Sequence, residues 1–228
     1  MSAMRRRRRR RLRIVISAGP TREPVDPVRF ISNYSTGTMG AAIAEETIRR
    51  GHRAVVVSGP TTTPFPRRAR RISVEQAAHM DAALRRVLPR ADALVMAAAV
   101  CDFRPSVRSR RKLPRRARVQ LRLSATPDIV QHLPRRRGQA MIGFALETEP
   151  GLLRMQRKLR QKRLDLLVGQ WMNGHGSPFG ARSVTACLLE ASGAVHRLGR
   201  VSKPVLARRL LDKIEALCYG ATHLTARS

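Results

Sequence analysis

The 228-residue sequence predicts an α/β fold: a Rossmann-like, doubly wound, mostly parallel sheet with a small antiparallel extension. Three observations predict it. Short apolar runs at Leu12–Ala18, Ala54–Ser58 and Leu94–Val100 have the length and β-branched content of fully buried strands. Helix-period segments separate them, so successive strands run parallel through right-handed crossovers. Late in the chain, Val184–Glu190 and Ala194–Leu198 meet through Ser192-Gly193, the pattern of a hairpin over about 183–198.

The elements follow in order. Residues 1–11 are low in complexity and carry the run Arg5–Arg11, a self-repelling disordered tail. The first strand closes at Gly19-Pro20, and Pro24 and Pro27 make Thr21–Tyr34 an extended loop. Ser35 or Thr36 caps a helix from Gly37 to Arg50 that Gly51 stops. Val74–Leu88 is amphipathic, with Ala77, Ala78, Leu84, Val87 and Leu88 on its apolar side. Arg104–Arg118 is basic and interrupted by Pro105 and Pro114, a mobile flap over about 104–118. Val119–Leu123 alternates like a strand with one wet face. Pro127 opens a short helix to Leu133. Met141–Ala145 reads as strand, Gly151–Arg163 as helix, Leu164–Val168 as strand, and Val205–Leu217 as the closing helix. One domain over 12–217 results, with a flexible tail at 218–228.

Charge is the anomaly. Lys and Arg number 46 against 15 Asp and Glu, a formal net charge of +31, and only five of the 46 are lysine. Two readings stand: a base-composition bias that turns tolerant lysines into arginine, or a field that attracts nucleic acid, anionic lipid or polyphosphate. An aromatic share of 4% argues against a stacking platform for single strands. Cys101, Cys187 and Cys218 are widely spaced with no CxxC pair, which fits a reducing cytoplasm better than a disulfide framework or zinc ribbon. The run Ile14–Ala18 is too short for a signal core or a membrane span, so no membrane partner is expected. The six histidines are scattered, and no protein metal ligand set is predicted.

In a doubly wound sheet, ligands sit beyond the carboxyl ends of the strands, which selects Gly19–Tyr34, Ala98–Arg118 and Phe144–Thr148. The junction S-N-Y-S-T-G-T-M-G places Gly37 and Gly40 at a helix N-terminus, for phosphate approach or simply for helix–strand packing. Asn33 just before it offers a neutral carboxamide that both donates and accepts; a left-handed turn explains it equally. Arg29 is either a bidentate anion clamp or one more solvated arginine. Where lysine is scarce, Lys112, Lys158 and Lys162 mark positions that need a compact ammonium, unless they survive by chance. Asp102, at the end of the third strand, can orient a ribose or base. Asp128 sits one residue inside the short helix, where a dipole contact also accounts for it.

The segment Ala18–Gly37, A-G-P-T-R-E-P-V-D-P-V-R-F-I-S-N-Y-S-T-G, resembles the opening of the phosphopantothenoylcysteine synthetase family. V-S-G-P at Val57–Pro60, A-A-A-V-C-D-F-R-P at Ala97–Pro105, T-P-D-I-V at Thr126–Val130, G-F-A-L-E-T at Gly143–Thr148 and the K-x-x-x-K of Lys158 and Lys162 follow in family order. The resemblance runs from about Ile14 to Leu217. It implies a ligase that joins 4′-phosphopantothenate to L-cysteine through an acyl-cytidylate, with CTP cleaved to CMP and pyrophosphate, in coenzyme A biosynthesis. Mg²⁺ would travel with the nucleotide. By position, Asn33 would hold the acyl-cytidylate, with Arg29 and Ala99 in the same pocket, and Lys112 would act from the flap. Asp102, Pro127, Asp128, Ile129, Val130, Phe144, Lys158 and Lys162 would bind CTP. The resemblance further implies a homodimer built through the sheet extension.

Departures are visible too. Thr38 stands where many bacterial members have lysine in S-S-G-K-M-G, so one cation is missing there. Cys101 replaces a usual Ala, the flap reads K-L-P-R-R, and Gly169-Gln170 stands where Ala-Asn is common. Only a few basic residues of the tail precede the first strand, which predicts no FMN and a separate decarboxylase enzyme. Two rivals remain: a Rossmann-type NAD(P) oxidoreductase, for which Val57-Ser58-Gly59-Pro60 offers no ribose-binding acid, and a nucleic-acid binder acting non-specifically through the Arg tail.

Overall fold

The computed structural model describes residues 10–116, 118–148, 151–171 and 179–225. The chain begins with β1 (Arg13–Ala18), whose alternate side chains enter two different cores: Ile14, Ile16 and Ala18 one, Val15 the other. A strand buried on both faces needs helices above and below it, and the rest of the chain supplies them. β2 (Arg22–Asp26) and β3 (Arg29–Ser32) precede α1 (Thr38–Arg49), β4 (Arg53–Ser58), β5 (Arg70–Ser73), α2 (Ala77–Val87) and β6 (Ala93–Met96). Then come β7 (Phe103–Pro105), β8 (Leu123–Ala125), α3 (Ile129–His132), β9 (Ala140–Glu147), α4 (Leu152–Gln161) and β10 (Leu166–Trp171). β11 (Ser183–Glu190), β12 (Val195–Ser202) and α5 (Lys203–Thr225) complete the described chain.

Eight strands form the main sheet in the order β5-β4-β1-β6-β9-β10-β11-β12. Pairings from β5 to β10 are parallel, and β10–β11 and β11–β12 are antiparallel. The predicted doubly wound sheet with an antiparallel extension is therefore the fold. α1 and α5 cover one face with Ile43, Ala44, Leu206, Leu210 and Ile214. α2 and α4 cover the other with Met80, Leu84, Met155 and Leu159. Strand order reverses between β1 and β6, which leaves a crevice at their carboxyl ends.

Several local expectations are corrected. Thr21–Tyr34 is not a plain extended loop: β2 and β3 form a hairpin whose turn is closed by Asp26, accepting from Val28 N and Arg29 N at 2.9 Å each. Val119–Leu123 is not a strand; only Leu123–Ala125 pairs, with Phe103–Pro105, as a second small hairpin. Phe144 lies within β9 rather than in a loop after it. β6 ends at Met96, but Ala99 continues the pairing with the turn after β1, donating to Gly19 O and accepting from Thr21 N. α5 runs on to Thr225, through most of the segment expected as a flexible tail at 218–228. Of the Arg-rich segment 1–11, residues 1–9 lie outside the described residues, while Arg10 pairs with Asp92 at 2.9 Å. Among the described residues, no helix is long and apolar enough to cross a membrane.

Candidate functional site

The crevice at the reversal point opens into a cavity of about 500 Å³. Asn33, Gly37, Gly40, Ala99, Asp102 and Phe144 line it, as do the turn Pro127–Val130 and Lys158 and Lys162. Twelve of the fourteen residues selected from the sequence are thus brought together. Arg29 and Lys112 do not line it.

One wall is the start of α1. Gly37 is its N-cap at φ 75, a left-handed conformation that glycine adopts at no steric cost. No side chain caps the helix, contrary to the expectation for Ser35 or Thr36; the Thr36 hydroxyl bonds Thr38 Oγ1 at 3.1 Å instead. The first-turn N–H groups are therefore available to an anion. Gly40 is needed for close approach, since a Cβ there would fall 2.4 Å from Ala18 Cβ.

The opposite wall pairs two helix caps. Asp128 is the N-cap of α3, not a residue inside it, and accepts from Val130 N and Gln131 N. Its other oxygen meets Lys162 Nζ at 2.6 Å, and Lys162 is the C-cap of α4. Burial pushes the Asp128 carboxyl up, but Lys162 and the two amides outweigh it and hold the pKa below the ordinary carboxylate value. Lys158 is half-buried, and burial followed by the neighbouring Lys162 charge lowers its pKa. Asp102 O accepts from Thr126 N at 2.8 Å, which draws the Pro127 turn beside it.

Asn33 spans the crevice. Its amide nitrogen donates to Ala99 O at 3.1 Å and Val100 O at 3.0 Å. Both amide protons are thereby engaged, so the group that Asn33 offers to the cavity is its oxygen, an acceptor. Ala99 contributes as backbone. Cys101 is buried, as a small core residue should be.

Arg29 points away to the flap, donating to Leu113 O at 2.9 Å. Asp26, almost fully buried, accepts from Leu113 N at 3.1 Å, and Ser109 N donates to Val25 O at 3.0 Å. The described flap is tied to the β2–β3 hairpin at these points rather than loose. Lys112 is exposed on it, next to the anchored Leu113.

Sequence reasoning missed Lys203, which lines the cavity from the start of α5 and donates to Thr38 Oγ1 at 2.6 Å. The position where a cation was expected to be missing thus has one, delivered from another element. The scarcity of lysine that singled out Lys112, Lys158 and Lys162 was the available signal. Gln170 was also missed as a lining residue; its Nε2 is buried and has no hydrogen-bond partner among the described residues.

No group of three or more His, Cys, Asp or Glu that could hold a metal occurs among the described residues. After β4, Gly59 packs against Pro20 so closely that a Cβ would meet Pro20 O at 1.7 Å, and the adjoining Ser58 and Pro60 bring no carboxylate for a dinucleotide ribose.

Comparisons with known proteins give the chain its relatives. Residues 10–217 match the family described as DNA/pantothenate metabolism flavoprotein C-terminal domain. The coenzyme A biosynthesis bifunctional protein CoaBC of Bacillus subtilis (strain 168) is 36% identical over 207 residues, covering 90% of this chain and 51% of that protein. A cysteine/cysteine sulfinic acid decarboxylase from an unknown prokaryotic organism is 35% identical over 211 residues, covering 91% and 59%. The chain spans about half the length of these curated relatives. Among solved structures, the C-terminal domain of CoaBC superposes with a TM-score of 0.78 at 33% identity, covering 92% of this chain and 96% of that one. A Cab2 mutant in complex with phosphopantothenate-cysteine shares the fold, with a TM-score of 0.74 at 16% identity and coverage of 92% and 89%.

Proposed function

The chain belongs to the DNA/pantothenate metabolism flavoprotein C-terminal domain family, and from that premise we propose that it ligates 4′-phosphopantothenate to L-cysteine at the expense of CTP. The observation that supports this best is the cavity itself. It sets an uncapped helix N-terminus and three lysines around a carboxamide oxygen, a layout suited to a triphosphate and an activated acyl group.

The reaction has two displacements. A carboxylate oxygen of phosphopantothenate attacks the α-phosphorus of CTP, and the bond to the bridging oxygen breaks to release pyrophosphate. The cysteine amine then attacks the acyl carbon, the acyl–oxygen bond breaks, CMP leaves, and the amine sheds a proton to solvent. The first-turn amides of α1 would bind phosphate oxygens as charge moves onto the leaving group. Lys158 and Lys162 would hold the nucleotide against Phe144 and the Pro127–Val130 turn. Asn33 Oδ1 would accept from the incoming ammonium or amine of cysteine and orient it toward the acyl carbon. Lys112 would reach the phosphates from the flap that Asp26 and Arg29 position. Among the described residues the cavity presents Asp102 and a Lys-paired Asp128, and Mg²⁺ would arrive beside them as the nucleotide complex.

The three free cysteines suit a cytoplasmic setting. For the homodimer, the face we favour is not the antiparallel extension. β12 presents polar side chains, whereas Val28, Phe30, Phe103 and Leu123 are exposed on the two hairpins β2–β3 and β7–β8. Phe30→Glu should convert a dimer to a monomer by light scattering, and an unchanged mass would remove that face.

The primary test omits cysteine. Protein is incubated with 4′-phosphopantothenate, Mg²⁺ and CTP or ATP, then assayed for pyrophosphate and, by mass, for the acyl-nucleotide. An acyl-cytidylate that disappears on adding cysteine supports both displacements. Absence of product with either nucleotide from folded protein overturns the reading, and carbon dioxide released from cysteine without nucleotide would favour decarboxylation instead.

A further inference from the structure

Lys203 is the first residue of α5, at the far end of the sheet in sequence, yet its side chain reaches the N-terminus of α1. Only 7% of the residue is exposed, and the ammonium sits 2.6 Å from Thr38 Oγ1 while lining the 500 Å³ cavity. Three features converge there. Thr38 is the first residue of α1, so Lys203 stands beside the helix's unsatisfied N–H groups. Those N–H groups and the ammonium together make one end of the cavity electropositive, an arrangement that an anion can bridge. Finally, Gln170 Nε2 is a buried donor without a partner among the described residues, on the wall of the same cavity, and it calls for a ligand rich in acceptors.

We propose that Lys203 is a phosphate-binding residue of this site, which together with the first turn of α1 grips the terminal phosphates of the nucleotide. The proposal rests on the nucleotide-dependent reading above and deepens it. Thr38 seats the ammonium through its hydroxyl instead of carrying a cation itself. Burial lowers the Lys203 pKa, a desolvation cost that a bound polyanion would relieve. Charge on the leaving pyrophosphate grows in the transition state, so this contact would serve the first displacement and leave cysteine attack untouched.

The test uses inorganic tripolyphosphate and CTP as separate probes of the intact chain. By calorimetry, tripolyphosphate should bind the wild type, and Lys203→Met should weaken it roughly 10- to 100-fold, the scale of a lost charge-assisted hydrogen bond. The same variant should raise KM for CTP by a similar factor while KM for cysteine stays level. Thr38→Val, which removes only the seat, should give a smaller loss. Thr38→Lys placed on Lys203→Met should restore tripolyphosphate binding by returning a cation from the helix side. Unchanged tripolyphosphate affinity in Lys203→Met, or in Thr38→Val should the first variant fail to fold, overturns the proposal. Because this readout needs no turnover, tripolyphosphate binding that depends on Lys203 in a protein without ligase activity would sink the ligase reading and leave the phosphate site standing.

Discussion

Lys162 Nζ lies 2.6 Å from Asp128 Oδ2, and this one pair joins the C-cap of α4 to the N-cap of α3 across the floor of the cavity. The two lysines of the K-x-x-x-K motif are therefore not equivalent. Lys162 is already compensated by a carboxylate. Lys158 is half-buried, and its ammonium is opposed by desolvation and by Lys162 itself, with Glu147, Asp102 and Asp128 acting the other way. Of these two, Lys158 offers an entering anion more.

That difference predicts the pH dependence of nucleotide binding. The Lys158 pKa is lowered from 10.5, so its proton is lost at a lower pH than from a free lysine. Anion binding favours the charged form, so CTP affinity is highest below the lowered pKa and falls as pH rises through it. Calorimetric titration from pH 7 to pH 10 should show that decline. Lys158→Arg keeps its charge throughout, so its decline should be shallower. An identical slope in the variant would assign the effect elsewhere.

Asn33 carries a prediction about order of events. Its amide protons are engaged by Ala99 O and Val100 O, so Asn33→Ala removes an acceptor from the cavity and takes one donor from each of those carbonyls, Ala99 O keeping its bond from Thr21 N. Pyrophosphate release without cysteine should persist, while transfer to cysteine drops by about 10²-fold or more, the scale of a lost positioning contact. Quench-flow of the two half-reactions separates them. Equal loss in both would make Asn33 a structural tie across the crevice.

The cavity was legible in the sequence because its parts are local: a strand, a turn with glycines and a helix start fix where Gly37, Gly40 and Asn33 stand. The nucleotide wall was legible for the same reason, since Pro127–Val130 and Lys158–Lys162 are short contiguous pieces. Lys203 was not, because α5 reaches α1 only after the antiparallel extension has carried the chain across the sheet edge, and no spacing records that. Arg29 looked like an anion clamp because periodicity says nothing of where a long side chain ends. Its true partner, Leu113 O, depends on how the flap folds back. The β2–β3 hairpin was hidden by Pro24 and Pro27, which read as loop signals yet sit in a two-stranded edge ribbon that tolerates them.

Gly40 tests how rigidly the helix start is held. A methyl group there would lie 2.4 Å from Ala18 Cβ on β1, far inside contact distance, and Ala18 is fixed by its backbone. Alanine favours a helix over glycine by about 1 kcal/mol, but displacing α1 from the sheet costs about 1–3 kcal/mol. The clash should win. Gly40→Ala is expected to lose roughly 1 kcal/mol net, lowering Tm by roughly 2–4 °C. It should also weaken CTP binding by shifting the anion-facing turn. A stabilised variant with unaltered affinity would show that α1 is free to move.

The flap anchor gives the last prediction. Asp26 accepts from Val28 N, Arg29 N and Leu113 N, so one carboxylate closes the β2–β3 turn and holds the residue after Lys112. Burial pushes its pKa up, yet those amides and the Arg29 charge prevail and keep it below 3.8. A lowered carboxyl pKa stabilises the anchored form fully above the unfolded value, and that contribution is lost as pH falls through the folded one. Hydrogen exchange at Leu113 should be protected at pH 7 and lose protection on strong acidification. Asp26→Asn should lose it already at pH 7, with faster tryptic cleavage around Arg111 and Lys112. If Asp26 acts through Lys112, Asp26→Asn and Lys112→Gln should each lower the rate of pyrophosphate release, and the double variant should be no worse than the poorer single one. Additive losses would separate the anchor from the lysine and leave Asp26 as a turn residue alone.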